Sequence, residues 1–218
     1  MRWPPLFDET RKAAKEADRQ LEAGGAEVGP LHSVPVTIKE SLDVAGTPST
    51  WGLPHRRSQL SQTDDPGVAR LKQAGAIVIG KSNIMQLLMS CESVNPVYGR
   101  VRNPWRPEER SSGGSSGAEA AILAAGGSPL GLGTDVGGSI RPPSHCCGIH
   151  GLKPTPGRVP SGKPKGIVHR HEIDRLRDLT LAGSEHRGSS YRSQLRSQDR
   201  RRAAGACSSS GAVPAEIP

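Results

Sequence analysis

From Gly113 to His145 the chain reads GGSSGAEAAILAAGGSPLGLGTDVGGSIRPPSH, with serines set among glycines and no histidine before His145. A serine hydroxyl attacks a carbonyl only when a neighbouring group takes its proton. Ser139 follows Val136, Gly137 and Gly138. Consecutive N–H groups in such a turn can point at one spot and stabilise the oxyanion of a tetrahedral adduct. A glycine turn carrying a surface serine would read the same way. Residues 113–117 also satisfy G-x-S-x-G, the pattern of a nucleophile elbow. The preceding PEERSS is not the buried strand that feeds an elbow, and the downstream histidines lie in poor contexts.

With no suitable histidine, lysine is the natural proton acceptor, provided burial holds it neutral against an ordinary pKa of about 10.4. Lys39 ends the apolar run VPVTIK, an unusual place for a solvated charge, although ordinary lysines end strands too. The HCCGIH cluster at residues 145–150 spaces its groups too tightly for the chain to turn back around a metal. Cys146 and Cys147 therefore read as buried thiols. With Cys91 and Cys207 they are too few and too irregular for a disulfide framework.

These groups need elements to position them. Residues 8–21 read as a helix with Asp8 as cap, and residues 34–39 as a short strand. Asp64 or Asp65 can cap a second helix, with Pro66 in its first turn and Gly75 at its stop. AIVIG, residues 76–80, is a continuous apolar run that predicts a strand buried on both faces. Asn83 is expected to cap a helix through Met89, and residues 91–112 read as loop. A helix follows Ser116 and stops at Gly126-Gly127, then PLGLGT predicts a strand and DVGGS a tight turn. Alternating strands and helices give an α/β layer with parallel neighbours.

Composition narrows the class. The chain has 218 residues, one domain's worth or part of a larger one, with 33% hydrophobic and 3% aromatic residues. No apolar run is long enough for a membrane span and no signal segment opens the chain, so a cytoplasmic protein is expected. The net charge of +8 suggests a polyanion partner only if it is focused. It is scattered through arginines near the C-terminus without helical period, and no zinc-finger, helix-turn-helix or aromatic-basic pattern accompanies it, which argues against nucleic-acid binding. A basic nucleic-acid-binding protein stays as the alternative of another class; steeply salt-dependent binding would favour it.

Three segments together resemble the amidase signature family of serine hydrolases: GPLHSVPVTIKES, GKSNIMQLLMSCESVNPVYGRVRNPW, and the long stretch GGSSGAEAAILAAGGSPLGLGTDVGGSIRPPSHCCGIHGLKPTPGR. The resemblance covers about residues 21–166 and looks closer to the stand-alone amidase and fatty-amide branches than to the glutaminase component of the tRNA amidotransferase. It implies an α/β amidase-signature fold, a mixed β-sheet core flanked by helices. It also implies a Ser–cis-Ser–Lys triad, with Ser139 as nucleophile, Ser115 as bridging serine on a cis peptide, and Lys39 as ultimate base. Val136, Gly137, Gly138 and Ser139 would supply the oxyanion hole. Ser116 is expected to hydrogen-bond Lys39, and Asp135 and Arg141 to brace the turn. Leu88, Met89 and Ser90 would line the acyl pocket, a core helix face being the other reading. The implied partners are a small-molecule amide (aliphatic, aryl or fatty) and water, with no metal or cofactor, and a homodimer in the parent family.

Residues 1–167 are thus expected to form a partial amidase domain. From residue 168 apolar periodicity disappears, and residues 168–218 read as a disordered or frame-shifted tail. A family-like continuation in another frame of the coding DNA would support that origin. An incomplete sheet leaves an edge uncovered, so a catalytically inactive amidase fragment is the second alternative.

Overall fold

A computed structural model describes residues 7–23, 28–155, 157–160 and 178–183. They belong to the first of two units, Met1–Ser184; the second, Glu185–Pro218, lies outside the described residues.

The scaffold is a mixed five-stranded sheet with helices packed on it. In chain order the elements are α1 (Phe7–Glu22), β1 (Pro35–Lys39), α2 (Pro66–Gln73), β2 (Ile77–Ser82), β3 (Val94–Asn95), β4 (Gly99–Arg100), α3 (Gly117–Ala124), β5 (Leu130–Asp135), α4 (Arg141–Cys147), β6 (His150–Gly151) and β7 (Asp178–Gly183). The sheet order is β2-β1-β5-β7-β6, while β3 and β4 make a separate hairpin. β1 runs parallel to β2 and to β5; β7 runs antiparallel to β5 and β6. Successive side chains of a strand point to opposite faces, so β1 serves two environments at once. Val36 and Ile38 are fully buried and pack with Leu132 of β5 and with Val68 and Leu71 of α2. Burial of a side chain of that size contributes about 1.5–3 kcal/mol. Thr37 and Lys39, also buried, leave from the other face.

Local signals explain most boundaries. The Asp65 carboxylate accepts from Gly67 N at 3.1 Å as the cap of α2, with Pro66 at its first position, where a missing N–H costs nothing. Asp64 instead accepts from Ala45 N and Lys72. α1 begins at Phe7, so Asp8 lies inside the first turn, where its charge suits the positive end of the helix, rather than at the cap. Gly75, at φ +91°, stops α2; a Cβ there would lie 2.8 Å from His32 Cα. No described helix is long and apolar enough to cross a membrane.

Five expectations change. β2 is an edge strand, and residues 77–80 are half-buried rather than covered on both faces; α1 reaches alongside and donates Thr10 Oγ1 to Val78 O at 3.0 Å. The helix expected from Asn83 to Met89 is absent. Asn83 Oδ1 accepts instead from Ile84 N and Asn95 Nδ2, and only a 3₁₀ turn, Gln86–Leu88, follows, with Leu87 and Leu88 at φ +54° and +61°. The loop of residues 91–112 holds the β3–β4 hairpin. α4 follows the tight turn where no element is predicted; prolines fit a first helical turn, and Gly148 in the left-handed region ends it. Finally, the stretch read as structureless contains β7, whose six residues pair with β5 from Leu130↔Gly183 to Asp135↔Asp178. The remainder of residues 168–218 lies outside the described residues.

Candidate active site

Lys39 is 0% exposed at the end of β1. Its Nζ donates to Ser115 Oγ at 2.7 Å and to Thr134 Oγ1 at 2.7 Å, with a longer contact to Thr134 O at 3.4 Å. Burial pulls its pKa from 10.5 down to about 7, against the opposing charges of Asp135 and Glu119. A substantial share of the amine is therefore neutral near pH 7 and has a lone pair to offer. Hydroxyls are fitting neighbours for such a group, since each can donate as well as accept.

Ser115 reaches Lys39 because its loop is packed backbone to backbone. The Gly114–Ser115 peptide is cis and the Ser115 side chain is wholly buried. Ser93 Oγ donates to Gly113 O at 2.9 Å and accepts from Gly117 N at 2.9 Å, clasping both ends of the segment. A Cβ at Gly117 would meet Ser93 Oγ at 2.5 Å, and one at Gly114 would meet Cys91 C at 2.8 Å. Glycine here is a requirement of close approach. Ser116 does not bond Lys39 as expected: α3 starts immediately after it, and its hydroxyl donates to Thr134 O at 3.3 Å instead. Its N–H donates to Ser139 O at 3.1 Å, which joins the loop to the turn that follows β5.

That turn is organised by Asp135. Its buried carboxylate accepts from Gly138 N (2.8 Å), Ile140 N and Arg141 N (3.2 Å each), and Arg141 closes a two-point ion pair at 3.0 and 2.9 Å. Burial alone would raise its pKa; the hydrogen bonds from Arg141, Ile140 and Gly138 outweigh it and hold the group down at about 2. Asp135 and Arg141 tie the turn together through these bonds. The expected oxyanion donors need correction, because the Gly138 N–H is committed to Asp135. The N–H groups of Val136, Gly137 and Ser139 have no acceptor among the described residues. Val136 is 40% exposed, and a Cβ on Gly137 would meet nothing within 4 Å, so this side of the turn is open. Ser139 itself is half-buried, and its hydroxyl has no hydrogen-bond partner among the described residues. The structure thus joins Lys39 to Ser115 through their side chains and brings Ser139 to the same loop through the backbone.

Leu88, Met89 and Ser90 lie on the turn after β2, where Met85 N donates to Ser115 O at 3.4 Å. Met89 is 75% exposed, so the core-helix reading of these residues fails. Three further residues escaped the sequence reading. Thr134 bonds the amine, Ser93 clasps the serine loop, and Glu119 lies buried on α3 with its Oε2 accepting from Thr37 Oγ1 at 2.6 Å. Only Glu119 had a visible signal, a carboxylate inside an otherwise Ala-rich apolar helix. Cys147 is buried and its thiol pushed up to about 12 by burial, Cys146 is half-buried, and Cys91 is exposed; none of the three forms a disulfide. Among the described residues no cluster of His, Cys, Asp or Glu could hold a metal ion.

The site lies in an α/β domain whose polar sheet face carries a buried lysine–serine pair. The Amidase family model matches residues 5–172, and the chain belongs to that family. Indoleacetamide hydrolase of Bradyrhizobium diazoefficiens is 44% identical over 171 residues, 78% of this chain and 32% of that protein. Fatty-acid amide hydrolase 2 of Homo sapiens is 44% identical over 161 residues, 71% of this chain and 30% of that protein. Among solved structures, 6-aminohexanoate cyclic dimer hydrolase complexed with substrate superposes with a TM-score of 0.70 at 29% identity, over 83% of this chain and 36% of that one. The chain spans about a third of the length of the curated relatives it matches.

Proposed function

We propose that this chain is an amidase that hydrolyses a carboxylic amide C–N bond, with Ser139 as nucleophile, Ser115 as relay and Lys39 as proton acceptor. The observation that carries the reading is the 2.7 Å hydrogen bond between Lys39 Nζ and Ser115 Oγ in a pocket where burial holds the amine near neutrality. Neutral Lys39 takes the Ser115 proton as Ser115 takes that of Ser139. The Ser139 oxygen forms a bond to the amide carbon, and the carbonyl electrons move to oxygen. The open N–H groups of Val136, Gly137 and Ser139 would then stabilise that oxygen. When the tetrahedral adduct collapses, the C–N bond breaks and the proton returns along the relay to the leaving nitrogen, which leaves badly as an anion. Water attacks the acyl-enzyme by the same path and releases the acid. In this reading Leu88, Met89 and Ser90 line the acyl side, supported by the bond from Met85 N to Ser115 O at the start of their turn.

The names of the relatives span an indole acetamide, a fatty-acid amide and a cyclic dimer, so the substrate is kept at the level of an aliphatic, aryl or fatty amide. A second reading, the same fold without turnover, is favoured by the Ser139 hydroxyl, which hydrogen-bonds neither Ser115 nor any other described residue. A fluorophosphonate probe decides between them. It should label the native chain and spare Ser139→Ala; equal labelling of both, or of neither, would remove the proposal.

A further inference from the structure

Glu119 has no part in the reaction outlined above. It is 2% exposed in the first turn of α3, over the polar face of the sheet. A carboxylate in a first helical turn gains from the helix dipole wherever it points, so the dipole does not explain its burial. Burial is made possible from β5: a Cβ on Gly131 would lie 2.5 Å from Glu119 Oε2 and 3.0 Å from Leu123 Cδ1. Glycine at that position opens the space the carboxyl fills. From β1, Thr37 Oγ1 donates to Oε2 at 2.6 Å, and Thr37 and Lys39, two residues apart, leave the strand by the same face. Oε1 makes no hydrogen bond of ordinary geometry; the buried Ser82 hydroxyl at the end of β2 faces the carboxyl and likewise lacks one.

We propose that Glu119 is a positioning residue for the hydrolysis inferred above, on which this proposal rests: held by Thr37 on the same sheet face as Lys39, its carboxylate stabilises the ammonium that forms when Lys39 takes the relay proton. A carboxylate and an amine buried together titrate as a pair. Burial raises the Glu119 pKa to about 7 even with the opposing pull of Thr37, Ser82 and Lys39, so both members change state in one pH range. Other charges facing the pair are few. Asp135, at the end of β5, also acts on Lys39 and is tied to Arg141 of α4. Lys81 of β2 is in register with Ile38, so it leaves by the opposite face, in the field of Glu40. Thr134 and Ser115 present hydroxyls to the amine.

The test reads Lys39 directly in the full 218-residue chain. Lysine labelled with ¹³C at Cε gives one resonance per side chain, and the Lys39 signal is the one lost in Lys39→Met. In Glu119→Gln its titration midpoint should fall by about 1 pH unit, because a nearby negative charge favours the ammonium. Thr37→Val, which makes the carboxylate harder to form, should shift the midpoint the same way by less. The acid limb of fluorophosphonate labelling should move down with it. An unmoved midpoint in folded Glu119→Gln, or in Thr37→Val should the first variant not fold, overturns the proposal. A uniform drop in labelling at an unmoved midpoint does so too, since it marks a structural role only. The resonance needs no turnover, so a native chain that resists the probe yet shows the shift would sink the hydrolysis and leave the pairing standing.

Discussion

Two lysines are buried at the ends of neighbouring parallel strands, Lys39 on β1 and Lys81 on β2, and their surroundings differ in kind. Lys39 is bonded at short range by two hydroxyls, of Ser115 and Thr134. Lys81 donates to the carbonyl of Pro48 at 2.6 Å and to Ser49 Oγ at 2.9 Å, within the field of Glu40. Glu40 in turn accepts from the N–H groups of Thr50 and Trp51. A carbonyl can only accept, so it holds a donor in place, whereas a hydroxyl can reverse when the amine loses a proton. Burial lowers both pKa values, to about 7 for Lys39 and about 8 for Lys81. Burial alone therefore does not separate the two lysines, and the proposal that Lys39 is the proton acceptor rests on its pair of short hydroxyl contacts.

The largest expected effect tests that contrast directly. Lys39→Ala should slow fluorophosphonate labelling of Ser139 by about 10²–10⁴-fold, the usual worth of a positioned base. Lys81→Met should leave the rate per folded molecule within about threefold. Equal losses would erase the distinction between the two lysines.

Stability should invert the ranking. Lys81→Met strands the Pro48 carbonyl and leaves Glu40 without its cation, a cost of about 1–3 kcal/mol in urea unfolding. Lys39→Met removes a group whose protonated form is penalised by burial, its hydroxyl partners can turn elsewhere and Glu119, its pKa already raised to about 7, can take up a proton, so a change within about 1 kcal/mol is expected near pH 7. A large loss there would make Lys39 a structural lysine as well.

The pH profile sharpens the same point. Labelling should rise as Lys39 loses its proton, with a half-maximal rate near pH 7, and Lys81→Met should not move that midpoint. For folding the sign is set by proton uptake: a lysine lowered from 10.5 to about 7 binds fewer protons folded than unfolded between those values. Its contribution to stability therefore improves as pH rises from about 7 towards 10.5. Thermal unfolding of native chain and Lys39→Met across that range isolates the term.

Asp135 gives the smallest effect. Its folded pKa lies at about 2, below the ordinary 3.8, so the stability it adds is fully present above pH 3.8 and is lost as pH falls through 2. Asp135→Asn should flatten that acid dependence and slow labelling through a looser turn at Gly138 and Ile140. Unchanged acid unfolding would show that Arg141 and the N–H donors do not depend on the charge.

How much of this was readable in advance follows from the range of each interaction. The capping of α2 by Asp65 and its stop at Gly75 are local, and their residue types announce them. The 3₁₀ turn after Asn83 was misread because Asn83 is answered by Asn95, twelve residues on, and not by its own helix. α4 was not predicted, and its proline pair is tolerated because it falls in the first turn. At the site, the sequence singles out Lys39 by its place at the end of an apolar strand and Ser139 by the glycine turn before it, while the roles proposed for Ser115, Asp135 and Arg141 come with the family resemblance. The claim of Asp135 on the Gly138 N–H was not, nor was the preference of Ser116 for Thr134 over Lys39, because two groups compete for one partner and only distance chooses between them.

The sequence by itself determined the alternation of β1, placing Val36 and Ile38 on one face and Thr37 and Lys39 on the other, and the glycines that let backbones meet. Tertiary structure decided the rest. Only packing α3 against β1 and β5 brings Ser115 and Thr134 to the Lys39 amine and Glu119 to Thr37, from positions 76 to 95 residues away from their partners on β1. A lysine's proton affinity is a property of the water it has lost and the dipoles that replace it, and those come from distant parts of the chain.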